Sequence, residues 1–211
     1  EELNLDQKRF PEKMMLSLVS GAKNTLVLPE EYPSENFSES KTKEFYSLYQ
    51  KKLAESNAVD FDDLILKVVL LLRKNPDILT KYQNRYKFIM VDEYQDTNHA
   101  QYILVSLLAK AHSNICVVGD DDQSIYSWRN ADIRNILEFE EDFPNAQVIK
   151  LEQNYRSSSN ILDAANTIIA NNINRKKKKL WTANQEGEKV RVYKAATERD
   201  EAQFIVGEIK E

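Results

Sequence analysis

Glycine is scarce in this chain: only Gly21, Gly119, Gly187 and Gly207 occur among 211 residues. None lies in a Gly-x-x-x-x-Gly-Lys-Ser/Thr pattern, so a loop whose backbone amides and lysine cradle phosphates is missing from these residues. Cysteine is scarcer still. Cys116 stands alone, which excludes an internal disulfide and a multi-cysteine zinc site, and its setting in Ile115-Cys116-Val117-Val118 reads as a buried strand position. The two histidines, His99 and His112, lack acidic or cysteine partners at metal-ligand spacing and read as surface or helix-end residues. No run approaches the roughly 18 uninterrupted apolar residues of a membrane span. The first residues, Glu1-Glu2-Leu3-Asn4-Leu5-Asp6, have no basic stretch leading into an apolar one. The expectation is a globular protein without a membrane segment, in a reducing, cytoplasmic setting.

Hydrophobic residues make up 42% and aromatics 9%, enough for a core in one domain or in parts of two. The formal charge of −5 argues against a nucleic-acid binder if read as an average, because neutralisation of phosphates by Lys and Arg dominates such affinity. The charges are segregated, however. Acidic residues crowd between Glu30 and Glu44 and around Asp92 and Asp120, whereas Arg175-Lys176-Lys177-Lys178-Lys179 lies apart from them. That basic run fits either a phosphate contact or a solvated connector.

Two helical patterns occupy the first sixty or so residues, separated by a polar, proline-punctuated stretch from Pro29 to about Ser40. From Asp62 a charge-punctuated apolar run predicts a buried helix, capped by Asp62 and Asp63 and stopping at Asn75-Pro76. Short apolar runs then alternate with helical patterns. Expected strands are 88–91, 115–118 and 148–151, and expected helices run from about Asn98 to Ala111 and from Asp132 to Phe143. The alternation predicts an α/β fold with a parallel sheet. A serine-capped helix from about Ser158 to Asn171, a strand at 190–193 and a helix from Glu198 to Lys210 complete the reading. No internal repeat is evident.

Chemistry gathers at the ends of the short strands, where open α/β sheets place their ligand sites. Asp92-Glu93 follows an apolar strand; the first carboxylate suits a magnesium ion and the second suits an attacking water, although such a pair taken alone fits a solvated helix cap better. The surrounding string is Val91-Asp92-Glu93-Tyr94-Gln95-Asp96-Thr97-Asn98. A second string runs Val118-Gly119-Asp120-Asp121-Asp122-Gln123-Ser124-Ile125-Tyr126-Ser127-Trp128-Arg129-Asn130, and a third is Leu151-Glu152-Gln153-Asn154-Tyr155-Arg156-Ser157. Tyr126 and Trp128 could form one face of a core strand, but their Asp, Ser, Arg and Asn neighbours favour exposed stacking on unpaired bases.

In this order the three strings resemble motifs II, III and IV of the superfamily 1 DNA helicases of the UvrD/PcrA/Rep group. Asp60-Phe61-Asp62-Asp63-Leu64 upstream and Lys179-Leu180-Trp181-Thr182-Ala183-Asn184 downstream extend the likeness over essentially the whole chain. The resemblance implies ATP and Mg²⁺ as cofactors, with Asp92 as the metal ligand and Glu93 as the catalytic base. It implies Gln123 as a contact to the γ-phosphate and attacking water, Tyr155 as the adenine stacker and Arg156 as an arginine finger reaching across a cleft between motor domains. Tyr126, Trp128 and Arg129 become single-stranded DNA contacts. The family usually carries glycine where Asn130 stands, and asparagine tolerates the left-handed backbone that such a turn needs.

The implied architecture is a partial RecA-like parallel-sheet motor domain with an N-terminal helical subdomain and the start of a second RecA-like domain. Its boundaries are 1–59 for part of a helical accessory subdomain, 60–152 for the second half of the first motor domain and 153–211 for the start of the second. The chain reads as an internal segment lacking the phosphate loop and later motifs. The implied activity is 3′ to 5′ translocation and duplex unwinding on single strands and duplex junctions, in contact with repair or replication proteins, with the isolated segment inactive as an ATPase. Two other readings are a non-catalytic module binding single-stranded DNA or a partner, and the helicase subunit of a recombination helicase-nuclease; the pattern around Trp128 and Trp181 argues against the latter.

Overall fold

The computed structural model describes residues 2–173 and 175–210. The chain forms two compact units, Glu1–Ala146 and Gln147–Glu211. The first begins with α1 (Glu12–Asn24) and α2 (Phe37–Glu55). Asn36 caps α2 by accepting the Glu39 amide. Val19, Ala22 and Tyr46 form the core between these helices, with Val27, Tyr32, Phe45 and Tyr49 packed around it.

Helix α3 (Asp63–Lys74) buries Leu66, Val69 and Leu72, which recur every three residues along one face. Asp62 and Asp63 do not cap it. Asp60 does, its Oδ1 accepting the Asp63 amide at 2.8 Å, which leaves Asp63 to form an ion pair with the fully buried Lys23. Asn75-Pro76 ends α3 as expected, yet Pro76 also starts α4 (Pro76–Arg85), a helix the sequence reading missed. Proline suits a first helical position, where its missing N–H has no intrahelical acceptor to lose.

Strands β1 (Ile89–Val91) and β2 (Ile115–Val117) are parallel and in register, Ile89 opposite Ile115 and Val91 opposite Val117. Helix α5 (His99–Ala109) connects them, making a β-α-β unit. It opens on a reciprocal cap, in which Asn98 Oδ1 accepts the Gln101 amide at 2.9 Å and Gln101 Oε1 accepts the Asn98 amide at 3.0 Å. Cys116 is exposed, contrary to expectation. Its side chain projects to the same face as Met90, which is 78% exposed, because alternate residues of a strand point to opposite faces and this face is uncovered. His99 and His112 are a helix-start and a turn residue; His112 Nε2 donates to the Tyr86 carbonyl while Nδ1 accepts the Asn114 amide.

The single helix expected from Asp132 to Phe143 is two short ones, α6 (Arg134–Leu137) and α7 (Phe139–Asp142). The break at Glu138 turns Phe139 edge-on against the buried Tyr94 ring, 5.7 Å between centroids.

In the second unit, α8 (Ser159–Ile169) and α9 (Glu198–Lys210) are present. Residues 148–151 and 190–193 are not strands. Alternation fixes where side chains point, but a strand needs a partner backbone. The described pairing in this unit is one parallel bridge, Gln153 with Trp181. Ser158 precedes α8 without a side-chain cap bond; Asn154 Oδ1 instead accepts the Arg156 and Ser157 amides. Tyr193, intended for a strand, stacks on Phe204 of α9 at 3.9 Å.

Candidate functional site

Because β1 and β2 are parallel neighbours, the turns that follow them leave the same end of the sheet. After β1 come Asp92 and Glu93, both exposed, then the 3₁₀ turn Tyr94–Asp96. After β2 come Gly119 and the acidic turn ending at Gln123. The backbone ties the two together: the Val118 amide donates to Val91 O at 2.8 Å and the Tyr94 amide to Val118 O at 3.0 Å.

Glu93 adopts a left-handed conformation, φ +50° and ψ +42°, uncommon for a residue with a β-carbon. Its own amide donates to Asp92 Oδ1 at 2.9 Å, which orients the Asp92 carboxylate. Strained backbone of this kind persists only where surroundings fix it, and here they do. Tyr94 is wholly buried beneath the turn, and burial pushes its hydroxyl up to about 12.

A continuous chain of hydrogen bonds then links Glu93 to Gln123. Gln95 Nε2 donates to Glu93 Oε2 at 2.8 Å; Gln95 Oε1 accepts the Asp120 amide at 3.0 Å; Gln123 Nε2 donates to Asp120 Oδ2 at 2.8 Å. Asp92, Glu93 and Gln123 are thus gathered in one place. Gln95, 1% exposed, received no role from the sequence. The signal available was its place in the string Asp92-Glu93-Tyr94-Gln95-Asp96, but only the fold reveals what lies opposite. Asp120, Asp121 and Asp122 can bring one carboxylate oxygen each within 4.8 Å of one another, with Asp120 already holding Gln123 and the Asp122 amide.

Six residues beyond Asp120, Tyr126 and Trp128 stand side by side, ring centroids 6.2 Å apart. Trp128 is 70% exposed, so core packing does not account for this pair. The Arg129 guanidinium lies 4.4 Å from the Trp128 ring centre and 5.3 Å from that of Tyr126. Asn130 takes φ +64°, the left-handed turn anticipated for it. The segment is moored to the first turn through the Asn98–Ala131 bridge, the Asp132 amide on Thr97 O and the Ser124 hydroxyl on Gln95 O.

Tyr155 and Arg156 belong to the second unit, where both are exposed. The Tyr155 hydroxyl donates to Gln153 Oε1 at 2.9 Å. Asn184 fixes their loop, donating to Tyr155 O and Ser157 O, a role that its place in Trp181-Thr182-Ala183-Asn184 did not disclose.

Comparison with known proteins agrees with the motifs. Residues 1–144 match the UvrD/REP helicase N-terminal domain and residues 149–211 the UvrD-like helicase C-terminal domain. The ATP-dependent DNA helicase PcrA of Staphylococcus epidermidis is 53% identical over 208 residues, and that of Staphylococcus aureus 52%. Each alignment covers 98% of this chain, which spans 28% of the relative's length. Among the described residues no helix is long and apolar enough to cross a membrane. With two family models covering nearly all of its length, the chain belongs to the UvrD/REP helicase family.

Proposed function

We propose that this chain is a segment of an ATP-dependent DNA helicase that moves 3′ to 5′ along a single strand and unwinds duplex junctions in the cytoplasm. In this reading residues 1–59 are part of an accessory helical subdomain, 60–152 the second half of a RecA-like motor domain and 153–211 the start of another. One observation carries it: Glu93 and Gln123 leave the same end of adjacent parallel strands and are joined through Gln95 and Asp120. Family membership and the 28% span of PcrA support it further.

Asp92 offers a hard carboxylate oxygen of the kind Mg²⁺ prefers, already oriented by the Glu93 amide, and the residues fit that ion. When bound, the ion offsets charge on the phosphate oxygens. Glu93 accepts a proton from the attacking water. Gln123, an uncharged donor and acceptor, orients that water and reads the terminal phosphate. Tyr155 stacks on adenine, and the Arg156 guanidinium balances charge as the phosphoryl group transfers. Tyr126 and Trp128 stack on bases without reading sequence, and Arg129 meets the strand beside them. The isolated chain, lacking a lysine loop, retains weak single-strand binding at most.

The test uses a longer protein carrying this chain together with a phosphate-binding loop. Glu93→Gln abolishes hydrolysis there while nucleotide binding survives; turnover at the unmodified rate would refute the assignment of the base. The 211 residues alone hydrolyse ATP no faster than buffer, with or without single-stranded DNA.

A further inference from the structure

The buried amide between the two turns makes more bonds than packing requires. Gln95 Nε2 donates both to Glu93 Oε2 at 2.8 Å and to Asp96 Oδ2 at 3.3 Å, while Oε1 accepts the Asp120 amide at 3.0 Å. Its backbone carbonyl accepts the Ser124 hydroxyl at 3.4 Å. Gly119 makes room for it: a β-carbon there would sit 2.6 Å from Gln95 Oε1 and 2.7 Å from Ile136 Cδ1, closer than such atoms approach. The Glu93 side chain is exposed and would otherwise sample several rotamers. An amide pinned at its far end to the Asp120 backbone selects one of them.

We infer that Gln95 is a positioning residue, which sets the Glu93 carboxylate against the Asp120–Gln123 turn so that the base and the water-orienting amide keep a fixed separation. The inference rests on the reading of Glu93 as the base. A side-chain amide meets both demands, since it donates through its nitrogen and accepts through its oxygen. A glutamate keeps the acceptor toward Asp120 but has no donor for Glu93; a methionine of similar length has neither.

Gln95→Glu and Gln95→Met are compared with Glu93→Gln in the longer ATP-hydrolysing protein. Steady-state hydrolysis, binding of a fluorescent, slowly hydrolysed ATP analogue and thermal melting are measured for each. The expected result is a kcat lower by about 10- to 100-fold, the range typical for partners that orient an active group, with nucleotide affinity and melting temperature near those of the unmodified protein. Gly119→Ala displaces the Gln95 amide without removing its polar atoms, so it tests the same point should the other two variants fold poorly; its kcat falls selectively as well. If Glu93→Gln is inactive and the Gln95 variants keep kcat within about twofold, the inference fails alone. Parallel loss of kcat, affinity and melting temperature in Gly119→Ala as well as in the Gln95 variants also overturns it, since that pattern marks a merely structural residue. Full activity of Glu93→Gln removes the base assignment and the inference with it.

Discussion

Lys23→Met tests the hub that holds the first unit together. The Lys23 ammonium is fully buried, 2.6 Å from Asp60 Oδ2 and 3.1 Å from Asp63 Oδ1, with the Asp63 side chain also fully buried and that of Asp60 21% exposed. Methionine keeps the apolar stem and deletes the charge. Removing one partner of a buried ion pair costs about 3–5 kcal/mol, because the remaining charge loses its compensation. Here the Tyr49 hydroxyl at 3.0 Å and the Asp63 amide still donate to Asp60, and Gln50 donates to Asp63, so the lower end of that range applies. In urea, followed by far-UV circular dichroism at neutral pH, the midpoint for the first unit drops by roughly 1 M or more. A change smaller than about 1 kcal/mol at neutral pH would refute the reasoning.

Acid gives the same prediction a sign. Burial pushes the Asp60 carboxyl up, but bonds from Lys23, the Asp63 amide and Tyr49 outweigh it and hold the group below the usual aspartate range. A depressed carboxyl contributes stability that is fully present above its unfolded pKa, about 3.9, and is lost as pH falls through its lower folded value. Much of that contribution vanishes in Lys23→Met. The difference between variant and unmodified protein therefore narrows as pH falls below about 4.

Trp128→Ala leaves urea stability within about 0.5 kcal/mol, since the ring is largely exposed, but in the longer protein weakens DNA-stimulated hydrolysis more than basal hydrolysis; equal losses would remove the stacking role. Asn130→Ala costs about 1 kcal/mol because φ +64° disfavours a β-carbon without a local polar partner, and Asn130→Gly does not; denaturant melts of the pair settle it. Tyr94→Phe is neutral or stabilising by about 1 kcal/mol, as the buried Tyr94 hydroxyl has no hydrogen-bond partner among the described residues; a clear fall in midpoint would reveal a missed bond.

Local signals carried much of this molecule. The apolar runs at 88–91 and 115–118 and the helical pattern between them are contiguous, and β1, α5 and β2 form within them, with Asp92-Glu93 and the Gln123 turn following the strand ends. What failed depended on partners distant in sequence. Cys116 sits in an apolar run, yet its burial was decided by whether another layer covers that face. Residues 190–193 alternate properly and find no ladder. Gln95 received no role because Asp120, its acceptor-side partner, lies 25 positions away. Pro76 was read only as a stop, although the same ring geometry also begins helices.

The joints of the site share one chemical choice. Gln95, Asn98, Gln123 and Asn135 each brace the site with a side-chain amide: Gln95 spans the two turns, Gln123 closes its own turn on Asp120, Asn98 Nδ2 donates to Asn24 Oδ1 of α1 at 2.7 Å, and Asn135 Nδ2 donates to Thr97 O at 3.0 Å. The two turns carry Asp92, Glu93, Asp96, Asp120, Asp121 and Asp122. A lysine bridge would satisfy these carboxylates as ion pairs and cancel their field; an acidic bridge would add repulsion. A neutral amide satisfies donors and acceptors while leaving the negative charge in place. Strands of three residues hold these turns with few backbone bonds, so the side-chain amides work together with the backbone bonds at Val118 in setting the site's geometry.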